Sequence, residues 1–189
     1  MNDTIPKIIA KIEKKENLIK VINNEIKELK KNKENSSHKE KEKRKLEDDI
    51  QVLWTQILNR IPSFINGENQ KEMIESCQEF GRRFSDNDLS TSQIRNVYGE
   101  VKKIQMKNSM LKENEKMEII PLRMLLPKLA YSAARAKKKG TDELKDVLSK
   151  GIETVLEDEN NSKEIIKRFE MFSNFFEALL AYHKAEGGN

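Results

Sequence analysis

A single cysteine, Cys77, stands among 189 residues, so no disulfide can close within the chain, and a reducing compartment fits that usage. Only two histidines occur, His38 and His183. Neither sits in a pattern that would serve a nucleophilic Cys77 as its base, and no histidine–cysteine cluster has the spacing of a zinc site. P-loop, dinucleotide and HExxH motifs are missing as well. Carboxylate pairs such as Asp48-Asp49 fall in a highly charged stretch, where solvation is the default. No apolar run approaches the ~20 residues that a bilayer span requires. The opening MNDTIPKIIAKIEKK has neither the apolar region nor the cleavage site of a secretory signal. These absences point to a cytoplasmic protein that is not an enzyme, carries no cofactor or metal and acts by contact.

What the chain does have is charge and helix-forming residues. It is 36% charged and 36% hydrophobic, with four prolines and seven glycines. That composition suits helices with narrow apolar stripes, and the expected fold class is all-α. Thr4 and Pro6 have the form of a helix start. Ile8, Ile12, Ile19, Ile22, Ile26 and Leu29 then alternate at spacings of four and three, with Lys15 in the vacant slot. That is a heptad seam, which needs a partner helix. A polar stretch at 32–38 interrupts it, and Leu46, Ile50, Leu53 and Ile57 resume the spacing. The simplest solution is an antiparallel hairpin over residues 1–62, a coiled-coil-like arm, with a helical-bundle body at 63–189. A seam filled by a second copy of the chain is the competing arrangement.

In the body, Ile61-Pro62 and Asn66-Gly67 bracket an expected break. A helix over about 68–84 puts Met73, Cys77, Phe80 and Phe84 on one face, where Cys77 reads as core. Arg82 and Arg83 suit that helix's C-terminal dipole and could extend a basic band. Residues 90–105, STSQIRNVYGEVKKIQ, have a capping box in Ser90 and Gln93 and an apolar stripe of Ile94, Val97, Val101 and Ile104. Arg95, Lys102 and Lys103 point away from that stripe. Gly99 costs about 1 kcal/mol against alanine in mid-helix, which leaves two readings: a glycine tolerated on a solvated helix face, or a place where another backbone approaches closely. Residues 106–118 read as a loop or frayed helix. From about Pro127, PKLAYSAARAKKKG reads as a helix with Gly140 as its cap. Helices over 142–156 and 163–185 flank a loop at 157–162. The last of these, with four phenylalanines, should be the centre of the body. His183 reads as a helix-end residue.

Charge is unevenly spread. Residues 82–139 hold 14 Lys/Arg against 6 Asp/Glu, whereas residues 140–189 hold 6 against 11. Between 119 and 141 there is no acidic residue, while Arg123, Lys128, Arg135, Lys137, Lys138 and Lys139 are all basic. Six cations without an anion exceed what a helix dipole needs, so this window points to a polyanion.

Three segments, TSQIRNVYGEVKKIQ (91–105), LLPKLAYSAARAKKKG (125–140) and FFEALLAYHK (175–184), occur in an order that resembles the small helical subunit of the type III-A CRISPR effector, the Csm complex. The resemblance covers roughly residues 77–189. It implies a non-catalytic, RNA-binding structural subunit in antiviral defence, whose copies stack along the guide (crRNA) and target RNA. Its protein partners would be the backbone and large subunits of the complex and copies of itself, with no membrane. The family's basic positions fall here on Arg95, Lys102, Lys103, Lys128 and Arg135. The hairpin of residues 1–60 is longer than the family's usual lead-in. A rival from another class is a coiled-coil scaffold or dimerisation module without direct RNA contact.

Overall fold

The computed structural model describes residues 3–110, 116–159 and 161–188. It is all-helical, with nine helices and no strand among the described residues: α1 (Ile5–Lys31), α2 (Ser37–Leu58), α3 (Ile61–Ile65), α4 (Gln70–Asp86), α5 (Thr91–Ser109), α6 (Ile119–Arg123), α7 (Leu125–Ala136), α8 (Lys139–Val155) and α9 (Ser162–Ala185). The chain divides into two compact units, Met1–Asn59 and Arg60–Asn189. No described helix is long and apolar enough to cross a membrane.

The first unit is a hairpin. Thr4 occupies the N-cap position of α1 in an extended conformation, though its side chain makes no capping hydrogen bond, and Pro6 lies in the first turn. The ion pairs fix the direction of the arms. Lys15 meets Asp49 at 2.7 Å, Glu25 meets Lys39 at 2.8 Å and Lys30 meets Glu40 at 2.9 Å. Lys15, in the first half of α1, thus pairs in the second half of α2, whereas Glu25 and Lys30, near the end of α1, pair near the start of α2, which is an antiparallel arrangement. Lys15, the odd member of the seam, reaches out of it to a carboxylate. Ile12, Ile22 and Ile26 are buried, while Ile19 and Leu29 are half-covered.

In the second unit α9 is the hub, packing against α3, α4, α5 and α8. Ile165, Phe169, Phe172, Phe175, Phe176 and Leu179 are all buried, the helical-period stripe expected of a central helix. Two glycines set the approach of its neighbours. A Cβ on Gly81 of α4 would lie 2.6 Å from the backbone nitrogen of His183, so α4 crosses α9 at near backbone contact. A Cβ on Gly151 of α8 would meet the Phe172 ring at 2.9 Å. Cys77 is buried against α9, and burial pushes its thiol up to about 12, so it is a small core residue and no nucleophile at neutral pH.

Several expectations need correction. The break at Ile61-Pro62 is the start of α3, whose Ile61, Phe64 and Ile65 are fully buried, so Pro62 opens a helix here as it can in a first turn. In the stretch read as a loop or frayed helix, 106–118, α5 continues to Ser109; residues 111–115 lie outside those described, as does residue 160 of the 157–162 loop. Gly140 is no cap. Lys137 ends α7 in a left-handed conformation (φ 52°), Lys138 is extended, and Gly140 lies inside α8. A Cβ on Gly140 would lie 2.7 Å from the Phe84 carbonyl oxygen, and its own N–H donates to the Asn87 carbonyl at 2.9 Å. The glycine is required by the close passage of α8 over the end of α4. Arg83 does not extend a surface band either. It is 2% exposed and bonded to buried Glu143 at 2.5 Å, with Asn87 donating to the other carboxylate oxygen at 3.1 Å. Arg82 is held by Glu79 and Asp86. His183 lies in the last turn of α9, but fully buried, with Nε2 2.9 Å from the Leu89 carbonyl oxygen.

Candidate nucleic-acid interface

The capping box at the start of α5 forms as its residues suggest. Ser90 Oγ accepts from the Gln93 N–H, and Gln93 Oε1 accepts from the Ser90 N–H at 3.0 Å. With its N-terminus fixed, α5 buries Ile94, Val101 and Ile104 and turns Arg95, Asn96, Gly99 and Lys103 outward. α7 buries Leu125, Leu129 and Ala133. Its opposite face carries Lys128, Tyr131, Ser132 and Arg135, at the i, i+3, i+4, i+7 spacing of one helical stripe. The two outward faces meet across a groove of about 890 Å³. Arg95, Asn96, Gly99, Glu100 and Lys103 line one wall, and Lys128, Tyr131, Ser132 and Arg135 the other.

This groove gathers four of the nine candidate cations, Arg95, Lys103, Lys128 and Arg135. Arg95 and Arg135 are exposed and have no carboxylate partner among the described residues. Lys103 donates to Glu100 at 2.6 Å, and Lys128 donates to the other oxygen of the same carboxylate. Hydrogen bonds from these two ammonium groups hold the Glu100 carboxyl down at about 2, so it is charged throughout the physiological range. The lysines stay open despite the pairing, with 76% of the Lys103 side chain and 53% of that of Lys128 exposed. Such exposed pairs are worth only about 0–1 kcal/mol each.

The other five candidates lie elsewhere. Lys102 turns to α9, where it pairs with Glu177 at 2.9 Å beside the Tyr98 hydroxyl, which donates to the same carboxylate at 2.7 Å. Tyr98 and Glu177 hold the Lys102 ammonium above its ordinary value. Arg123 pairs with Glu159. Lys138 pairs with Asp88 at 3.1 Å, and Lys139 approaches Glu143 at 3.9 Å. Lys137, in the turn between α7 and α8, is exposed without a carboxylate partner among the described residues.

One groove feature is not singled out by the sequence reading. Tyr131 is 68% exposed, an aromatic face turned to water between two cations. Its signal was available: it stands three after Lys128 and four before Arg135, off the Leu129–Ala133 stripe. Of the two readings of Gly99, the close approach of another backbone is not found. A Cβ there would meet nothing within 4 Å, so none of the described residues makes the close approach. Among the described residues no three of His, Cys, Asp or Glu converge as a metal ion would require.

Residues 67–189 match the family model described as Csm2 Type III-A, and residues 1–66 lie outside the match. No curated protein and no solved structure matches the chain.

Proposed function

Because the chain belongs to the Csm2 Type III-A family, a small subunit of the type III-A CRISPR effector complex, we propose that its α5–α7 groove holds the sugar–phosphate backbone of guide or target RNA within that complex. The observation that carries this reading is convergence. Two helices with independent sequence patterns direct Arg95, Lys103, Lys128 and Arg135 into one groove, on the most basic segment of the chain. Lysine and arginine on rigid helices neutralise phosphates regardless of sequence, which is what a subunit serving any guide needs. Asn96 and Ser132 supply neutral hydrogen-bonding groups of the kind that recognise a ribose 2′-hydroxyl. Lys102 supports the site indirectly, by joining α5 to α9. Arg123, Lys137, Lys138 and Lys139 add long-range attraction outside the groove.

In this reading the protein works by positioning, without catalysis, in the cytoplasm and in antiviral defence. Its other surfaces meet the backbone and large subunits and copies of itself. The hairpin arm is available for such contacts: its two helices already satisfy each other's seam, yet Leu18, Val21 and Val52 remain exposed.

Charge reversal tests the groove. Arg95→Glu with Arg135→Glu should abolish binding of a mixed-sequence RNA at low salt while leaving helical circular dichroism unchanged. Undiminished binding by that variant over a range of salt concentrations would contradict phosphate contact in the groove.

A further inference from the structure

Gly99 and Glu100 both line the groove, and no described neighbour of Gly99 requires a glycine there. A glycine in mid-helix forfeits helix stability and is ordinarily retained where a neighbour comes close, as at Gly81, Gly140 and Gly151. At Gly99 the space that a Cβ would fill is empty, and it opens into the groove. Among the described residues, Glu100 is the one acidic residue lining that groove. It gives one oxygen to Lys103 of its own helix and the other to Lys128 of α7. A phosphodiester presents two non-bridging oxygens in the same way. Both kinds of group accept charge-assisted hydrogen bonds from two ammonium donors at once.

Resting on the reading above, we propose that Glu100 is an internal stand-in for phosphate: an RNA phosphodiester takes Lys103 and Lys128 over from it, with the ribose lying on the bare backbone of Gly99. Before RNA arrives, Glu100 offsets the mutual repulsion of four cations and keeps both lysines aimed at one point. On exchange the displaced carboxylate turns to water, since a third of its side chain is already exposed. Each exposed lysine pair shifts its equilibrium by only a few-fold, so the exchange is readily reversible. The arrangement also raises selectivity. A lone small anion must compete with a tethered carboxylate, whereas a polyanion that engages Arg95 and Arg135 at the same time displaces it with the help of those contacts.

The test compares the full-length protein with four variants, by anisotropy of a labelled single-stranded RNA of mixed sequence over a series of salt concentrations. Glu100→Gln keeps the shape and removes the charge. It should bind RNA about three- to tenfold more tightly at low salt, the worth of two exposed ion pairs, and should lose affinity more steeply as salt rises, by roughly 0.7 in the log–log slope per added counterion released from a single strand. Glu170→Gln, at an exposed site on α9, makes the same change in net charge and should leave affinity nearly unchanged. Gly99→Leu should bind several-fold more weakly with a melting temperature equal to or above that of the wild type. Arg95→Glu/Arg135→Glu tests the underlying reading. If that double variant loses binding but Glu100→Gln binds no better than wild type, or no better than Glu170→Gln, the stand-in role is overturned and the groove remains. If the double variant binds like wild type, or no protein in the series binds at all, both fail.

Discussion

Gly81 and Gly99 both interrupt a helix of the body, and they have opposite surroundings. At Gly81 the molecule has placed its own backbone, with His183 and Tyr182 of α9 where a side chain would be. At Gly99 it has placed nothing. The arginines repeat the contrast. Arg83 and Arg135 each lie in the last turn of a helix. Arg83 is sealed against Glu143 and Asn87, whereas Arg135 stands exposed at the edge of a groove. The packing of α4 against α8 and α9 is thus a region whose special residues are consumed by folding. In the α5–α7 groove the same residue types are left over. Stability should be lost by touching the first region and should be indifferent to, or improved by, touching the second.

The largest effect is expected at Arg83→Ala, which strands a buried Glu143 carboxylate. Breaking a buried pair on one side costs about 3–5 kcal/mol, and chemical denaturation should show it, whereas Arg135→Ala should stay within about 0.5 kcal/mol of wild type. If the two substitutions cost the same, the contrast collapses. Next is Gly81→Ala. The atoms in the way are backbone, so α4 must move off α9, and overpacking of this kind costs roughly 1–3 kcal/mol. A third prediction concerns pH. Burial holds His183 below its ordinary value of 6.5, so the folded state prefers the neutral ring. The unfolded chain binds the proton first. Stability is therefore intact above about pH 6.5 and is lost as pH falls below it, by at most about 1.4 kcal/mol per pH unit for this one group. His183→Gln should flatten that part of the profile measured by thermal melts; a slope unchanged by the substitution would assign it to other groups. The smallest effect is a gain: Gly99→Ala should stabilise the protein by about 0.5–1 kcal/mol, since the new methyl group meets nothing. A loss there would mean that the site is closer to its neighbours than the geometry indicates.

Much of this was legible in the residues. The capping box of Ser90 and Gln93, the phenylalanine stripe of α9 and the core position of Cys77 follow from local rules of spacing and donor–acceptor type, and the structure repeats them. The antiparallel hairpin followed from a heptad pattern broken once by polar residues. What spacing alone does not reveal is which neighbour a charge finds. Arg83 shares a stripe with Ser76 and Phe80, a hint that it points inward, but its partner Glu143 is 60 residues away. Lys102 and Lys103 are adjacent in sequence, yet one turns to Glu177 of α9 and the other to the groove. Gly140 looked like a cap because Lys137, Lys138 and Lys139 resemble a helix end. The turn is instead made by Lys137 in a left-handed conformation, which costs a non-glycine residue about 1–2 kcal/mol. The groove itself needed the third dimension: its walls are two helices, and only their juxtaposition puts Tyr131 opposite Gly99.

The most direct test of the groove as the RNA site is photochemical. The assembled effector complex, reconstituted with this subunit and a guide RNA carrying photoreactive uridines, would be irradiated and its adducts mapped by mass spectrometry. Adducts should concentrate on residues 95–103 and 128–135, with Tyr131 foremost because its exposed ring can stack on a base. Adducts confined to the turn at Lys137, Lys138 and Lys139, or to the hairpin, with the groove unmarked, would contradict it.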